Sequence, residues 1–170
     1  MTNNDIFRRI RFIFDFNDST MMALFKLADC PVTREQVSDW LKQDDKPDFK
    51  TLSDNYLAIF LNGLISKRRG KKEGPQPAAE NFLNNNMIFR KLKIALDFKD
   101  DDILDMMQLA SFPVSKHELS AFFRKSDHKN YRNCQTQILR NFLKGLQLKY
   151  RADVVVGAAE EPIDDVPRAN

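Results

Sequence analysis

Apolar positions recur at helical spacing along most of the chain, and no segment alternates with period two for long enough to make a strand. Ile6, Ile10, Ile13 and Phe14 share one face of a segment running from about Asp5 to Phe14. Met21, Leu24, Phe25 and Ala28 follow at i, i+3, i+4, i+7, the stripe of a half-buried helix. That second helix opens at Asp18, a favoured N-cap residue. Val37, Trp40 and Leu41 form the stripe of a third, short helix ending near Lys42. Its start is marked by Thr33 and Gln36, which form a capping box, with Val32 and Val37 at the positions of a hydrophobic staple. Pro31 lacks a backbone N–H and stops the preceding helix from running on. After the polar stretch Gln43-Asp44-Asp45-Lys46-Pro47-Asp48, a fourth helix carries Leu52, Tyr56, Phe60 and Leu64. It ends in Lys67-Arg68-Arg69-Gly70, where basic residues complement the helix dipole and glycine suits the left-handed C′ position.

The whole pattern then occurs again. A shift of 82 positions aligns Asn3–Arg69 with Asn85–Arg151 without a gap. Asn3-Asn4 matches Asn85-Asn86, Asp15-Phe16 matches Asp97-Phe98, Pro31-Val32 matches Pro113-Val114, and Phe60-Leu61-x-Gly63-Leu64 matches Phe142-Leu143-x-Gly145-Leu146. A repeat of this kind sets the architecture. The predicted fold is all-α: two tandem four-helix repeats, 3–69 and 85–151, packed face to face about a pseudo-twofold. Residues 70–84 have linker composition, and the acidic, proline-punctuated tail 152–170 is expected to be disordered. Gly63 and Gly145 sit inside the two fourth helices, where a glycine costs about 1 kcal/mol relative to alanine. Their presence points to close approach of another helix, with a backbone contact to a ligand as the alternative.

Composition narrows the classes. The chain has 170 residues, 42% of them hydrophobic and 30% charged, with 14 Phe for a core and no apolar run long enough to span a bilayer. The N-terminus has no basic-then-apolar signal pattern, and two widely spaced cysteines read as reduced thiols, so a cytoplasmic protein is expected.

The segments Asn4-Asp5-Ile6-Phe7-Arg8-Arg9, Val32–Lys42 and Leu57-Ala58-x-Phe60-Leu61-Asn62-Gly63-Leu64-Ile65, present in two copies, resemble the YehS-like bacterial proteins. These are small cytoplasmic proteins built from a tandem domain of unknown function. The resemblance covers residues 3 to 151 and implies a bacterial source and a duplicated helical fold. It implies no activity, cofactor or catalytic residue. The second copy departs from it, with Phe122 in place of Trp40 and Lys144 in place of Asn62.

No catalytic constellation stands out, so no cofactor and no metal are expected. His117 and His128 align with Glu35 and Lys46, which favours solvated positions. Cys30 lies before a helix start, where a thiolate gains stability, but its counterpart is Phe112, which favours an apolar role. No glycine-rich phosphate loop or nucleophile elbow is present. Asp100-Asp101-Asp102 reads as the acidic first turn of a helix.

Charge is more informative. Residues 3–69 hold 11 Lys/Arg against 10 Asp/Glu, whereas residues 85–151 hold 13 against 7. Lys116, Arg124, Lys125, Lys129 and Arg132 are the candidate binding residues of this basic copy. Two functions are expected from this: a non-enzymatic, adaptor-like interaction module with a protein partner, or a nucleic-acid-binding protein using the basic repeat and its helix-turn-helix-like pair. The mixed charge on the third helix (Arg34, Glu35, Asp39, Lys42) weighs against groove reading.

Overall fold

The structure is a computed structural model and describes residues 1–152. The expected acidic tail lies, from Asp153 onward, outside the described residues. Among the described residues there are eight helices and no strand. α1 (Asn3–Ile13), α2 (Asp18–Leu27), α3 (Arg34–Leu41) and α4 (Asp54–Arg69) build a first compact unit that reaches to Leu83. α5 (Asn85–Leu96), α6 (Asp100–Leu109), α7 (Lys116–Phe122) and α8 (Thr136–Tyr150) build a second, starting at Asn84. No helix among the described residues is long and apolar enough to cross a membrane.

In the first unit the core gathers around Phe7. Its ring lies 4.7 Å from Phe60, 6.1 Å from Phe25 and 6.2 Å from Trp40, and tilted or edge-on contacts of this kind add to the burial each ring gains. Ile6, Ile10, Ile13, Met21, Leu24, Val37, Leu57 and Leu64 close the core around it. Leu52 is buried too, but it precedes α4 rather than belonging to it. The second unit repeats the arrangement around Phe89, 4.7 Å from Phe142 and 6.4 Å from Phe122.

Most helix starts follow the capping chemistry of the sequence. Thr33 and Ser115 both form complete capping boxes, with Gln36 and Glu118 respectively. α2 differs: its N-cap is Asn17, whose side chain accepts from Thr20 N at 2.8 Å, and Asp18 is already the first helical residue. Either residue type can cap, and the asparagine one step earlier takes the role.

The ends of α1, α2, α5 and α6 close with residues in the left-handed region: Asp15 (φ 54°), Asp29 (58°), Asp97 (55°) and Ser111 (56°). Each is followed by the bond pattern of a Schellman motif, as in Phe16 N to Arg11 O (3.0 Å) with Asp15 N to Phe12 O (3.2 Å). None is glycine, although glycine carries the least cost there. Gly70, which does end α4, has φ +91°.

The interior glycines mark a close helix contact in each unit. A Cβ on Gly63 would stand 1.8 Å from the Leu24 carbonyl oxygen of α2, and one on Gly145 would stand 2.0 Å from that of Met106 in α6. Backbone meets backbone at both crossings, and only a residue without a side chain fits.

Residues 70–83 are not helical, yet their second half is tied to the first unit. Leu83 is buried and donates its N–H to Asp54 Oδ2 at 3.0 Å, while Asn55 Nδ2 donates to Glu80 O at 3.1 Å.

Candidate functional site

The feature that distinguishes the two units is the loop between their third and fourth helices. In both, the loop is a fixed frame. Lys46 N donates to Gln43 O (3.1 Å), Phe49 N to Lys46 O (3.1 Å) and Lys50 N to Asp39 O (3.2 Å). The second unit makes the same three bonds: His128 N to Lys125 O (2.9 Å), Tyr131 N to His128 O (2.9 Å) and Arg132 N to Ala121 O (3.1 Å).

One buried asparagine clamps the base of each loop. Asn4 Nδ2 donates to Trp40 O (3.0 Å) and Lys50 O (2.9 Å), and Asn4 Oδ1 accepts from Leu52 N (3.0 Å). Asn86 does the same with Phe122 O (3.1 Å), Arg132 O (2.8 Å) and Cys134 N (2.9 Å). A side-chain amide has the right inventory for this task, two donors and an acceptor in one plane. The preceding asparagines add further ties, Asn3 Nδ2 to Leu52 O (3.1 Å) and Asn85 Nδ2 to Cys134 O (3.0 Å). The Asn-Asn pairs had been legible as a repeat signature, but not as a clamp.

On this shared frame the charges differ. In the first unit Lys42 Nζ lies between two carboxylates, 2.9 Å from Asp39 Oδ1 and hydrogen-bonded to Asp48. The bond to Asp39, then that to Asp48, holds the Lys42 ammonium above its usual pKa, and the bond from Lys42 holds the Asp48 carboxyl below its own. In the second unit Lys42 corresponds to Arg124, Asp39 to Ala121 and Asp48 to Asn130. The cation is kept and both of its partners are neutral. Asp44 and Pro47 of the first loop correspond to Ser126 and Lys129, which removes one more negative charge and adds a positive one.

The result is a solvent-open hollow of about 590 Å³ lined by Arg124, Lys125, Asp127, His128 and Lys129. Among the described residues Arg124, Lys125 and Lys129 make no ion pair. His128 Nδ1 accepts from Asn130 N at 2.9 Å, so in the neutral ring Nε2 carries the proton and is a donor.

Three of the five sequence-derived candidates, Arg124, Lys125 and Lys129, thus meet at one place. Arg132 lies at the end of the same loop, but its guanidinium donates to Tyr131 O at 2.9 Å. Lys116 stands at the opposite end of α7, 3.8 Å from Asp101. Other basic residues of the unit are occupied in the fold. Lys93 pairs with Asp100 at 2.9 Å and sits 4.4 Å over the Phe123 ring, and Arg90 donates to Phe123 O.

The remaining candidates are separate from the hollow. His117 is exposed on α7. Cys30 is half-buried, and Cys134 is buried, with burial pushing its thiol up to about 12; both thiols are free. No three His, Cys, Asp or Glu side chains among the described residues stand together as a metal site.

The comparisons with known proteins agree with the duplication. A family model described as a protein of unknown function (DUF1456) matches twice, over residues 3–70 and 85–152. The uncharacterized protein YehS of Escherichia coli (strain K12) is 42% identical over 147 residues, covering 86% of this chain and 94% of the relative. No solved structure matches. With both halves of its repeat matched by one model, the chain belongs to the DUF1456 family as a tandem, all-helical member.

Proposed function

We propose that the chain is a non-enzymatic helical interaction module, adaptor-like, whose docking surface is the α7–α8 loop of the second unit. One observation carries this reading: the same clamped loop occurs twice, charge-neutralised in the first unit and cationic in the second. A frame held by identical hydrogen bonds that differs in its surface charge is what recognition requires, a rigid support with a variable face. The expected setting is the cytoplasm, and the expected partner carries negative charge.

The test is capture on the immobilised full chain at moderate salt, with an Arg124→Glu, Lys125→Glu variant alongside. A single saturable complex that the variant abolishes is the expected result. Absence of any saturable complex, or a complex indifferent to the variant, refutes the reading. A nucleic-acid partner, in place of a protein, is favoured by the excess of 13 Lys/Arg over 7 Asp/Glu in residues 85–151.

A further inference from the structure

The hollow has a chemistry that selects among negatively charged partners. Its lining is Arg124, Lys125, Asp127, His128 and Lys129, with no aliphatic side chain and no Phe, Tyr or Trp among them. Protein–protein interfaces concentrate their binding energy in buried aromatic and aliphatic anchors, ringed by polar residues. The large apolar side chains that are exposed, Phe82, Ile94, Leu109 and Tyr150, are not part of the lining. A small anion is also a poor match. Lining residues other than Arg124 are exposed, so the hollow leaves its occupant in water, whereas small-molecule sites bury most of the ligand. An extended polyanion gains at such a surface by contacting several cations at once and releasing its condensed counterions.

The repeat supplies the second argument. A cation beside two carboxylates is neutralised and offers little to a ligand. Lys42 is in that position, and Arg124 in the same frame is not, because Ala121 and Asn130 stand where Asp39 and Asp48 do. The neutral replacements at 126 and 130 are a hydroxyl and an amide, both able to donate to a phosphate oxygen.

We infer that the loop after α7 is a phosphodiester-binding site, in which Arg124, Lys125 and Lys129 contact successive backbone phosphates of a nucleic acid and His128 Nε2 adds a further donor. This rests on the interaction-module reading and narrows its partner to nucleic acid. Binding is sequence-independent, since backbone contacts position a protein without reading bases. α7, with seven residues and Lys116, His117 and Glu118 on its exposed first turn, offers a short face of mixed sign for base readout.

The experiment is a salt titration of the full chain against a short labelled DNA duplex by fluorescence anisotropy. With about three phosphates neutralised, the slope of log K against log salt is about −2.7, which is a loss of about 40-fold between 50 and 200 mM. Arg124→Ala, Lys125→Ala, Lys129→Ala should flatten the slope to near zero. Asn130→Asp, which removes no cation but restores a carboxylate to the loop, should weaken binding several-fold and reduce the slope by about 1. Lys42→Ala, Lys46→Ala, Lys50→Ala removes the same charge from the first unit's loop and should leave the slope in place. Equal weakening by both triple variants means net charge alone is at work and overturns the site. So does DNA binding that neither the second-unit triple nor Asn130→Asp disturbs, or an acidic polypeptide that competes as well as DNA. Capture of a protein through this loop with no DNA binding at any salt overturns the phosphate assignment but keeps the module reading; no binding of either overturns both.

Discussion

Replacing Gly63 by alanine places a methyl group where the Leu24 carbonyl already stands. The added Cβ lies 1.8 Å from that oxygen, 2.6 Å from the carbonyl carbon and 3.2 Å from the Leu24 Cα, whereas ordinary contact begins at 3.4 Å. All three neighbours are backbone atoms, so no side chain can swing aside. α2 and α4 must therefore move apart by roughly 1.5 Å, on the scale where a gap forfeits a quarter to a half or more of each dispersion contact. Leu24, Phe25, Phe60 and Leu64, all fully buried along this crossing, lose packing together. Overpacking of this type costs about 3 kcal/mol or more when the backbone has to shift, against a gain of about 1 kcal/mol from the better helix propensity of alanine. The expected net loss is about 2 kcal/mol. Urea unfolding followed by far-UV circular dichroism reads it as a midpoint lowered by about 1 M, with the slope m unchanged. Gly145→Ala should lose a similar amount, because its Cβ meets Met106 O at 2.0 Å. Gly63→Ala as stable as the parent, or more so, would mean that propensity wins and that the two helices do not touch through their backbones.

Four further outcomes are expected. Asn86→Asp keeps the shape of the clamp but sets a carboxylate oxygen against the Phe122 and Arg132 carbonyls; it should cost about 3 kcal/mol at neutral pH, partly recovered on acidification, in urea titrations at both pH values. Ser111→Gly relieves a left-handed non-glycine residue at a helix end and should raise stability by about 1 kcal/mol in the same assay. The Cys134 thiol, held up to about 12, keeps its proton in the folded chain between pH 9.0 and about 12 while the unfolded chain releases it. Stability should therefore fall as pH rises above 9.0, by about 1.4 kcal/mol per pH unit, a slope that Cys134→Ala removes. Iodoacetamide should modify Cys30 in the folded protein and leave buried Cys134 intact.

Much of the architecture was readable from local chemistry. The apolar stripes of Met21, Leu24 and Phe25 or Val37 and Trp40 follow one helix period, and the capping boxes at Thr33 and Ser115 involve side chains three residues apart. Such signals lie within single turns, so sequence alone carries them. Phe7 stands three residues before Ile10 and seven before Phe14, on the same helical face; what one helix period does not show is that it touches three other helices and so centres the core. The left-handed helix ends escaped because the sequence signal for them is glycine, and Asp15, Asp29, Asp97 and Ser111 fill the role instead.

The site was legible in a different degree. Charge counting found the basic copy and named Arg124, Lys125 and Lys129, but it set Lys116 beside them, which the length of α7 separates from the hollow. Composition cannot tell a compensated cation from a free one. That distinction came from which neighbours the side chain meets, Lys42 between Asp39 and Asp48, three and six residues away, against Arg124 with Ala121 and Asn130 at the matching positions. The clamps of Asn4 and Asn86 were hidden for a different reason, since their partners lie 36 to 48 residues away.

Two equivalent loops on one repeated fold differ in function because the cation at the head of the loop, paired with two carboxylates as Lys42, stands free of both as Arg124, beside Lys125 and Lys129. Backbone amide chemical shifts of the full chain, recorded while a short DNA duplex is added at low salt, test this most directly. The expected perturbations are concentrated on residues 124–132, with the amides of residues 42–50 unmoved. Shifts of equal size in both loops, or shifts confined to surfaces away from 124–132, would contradict it.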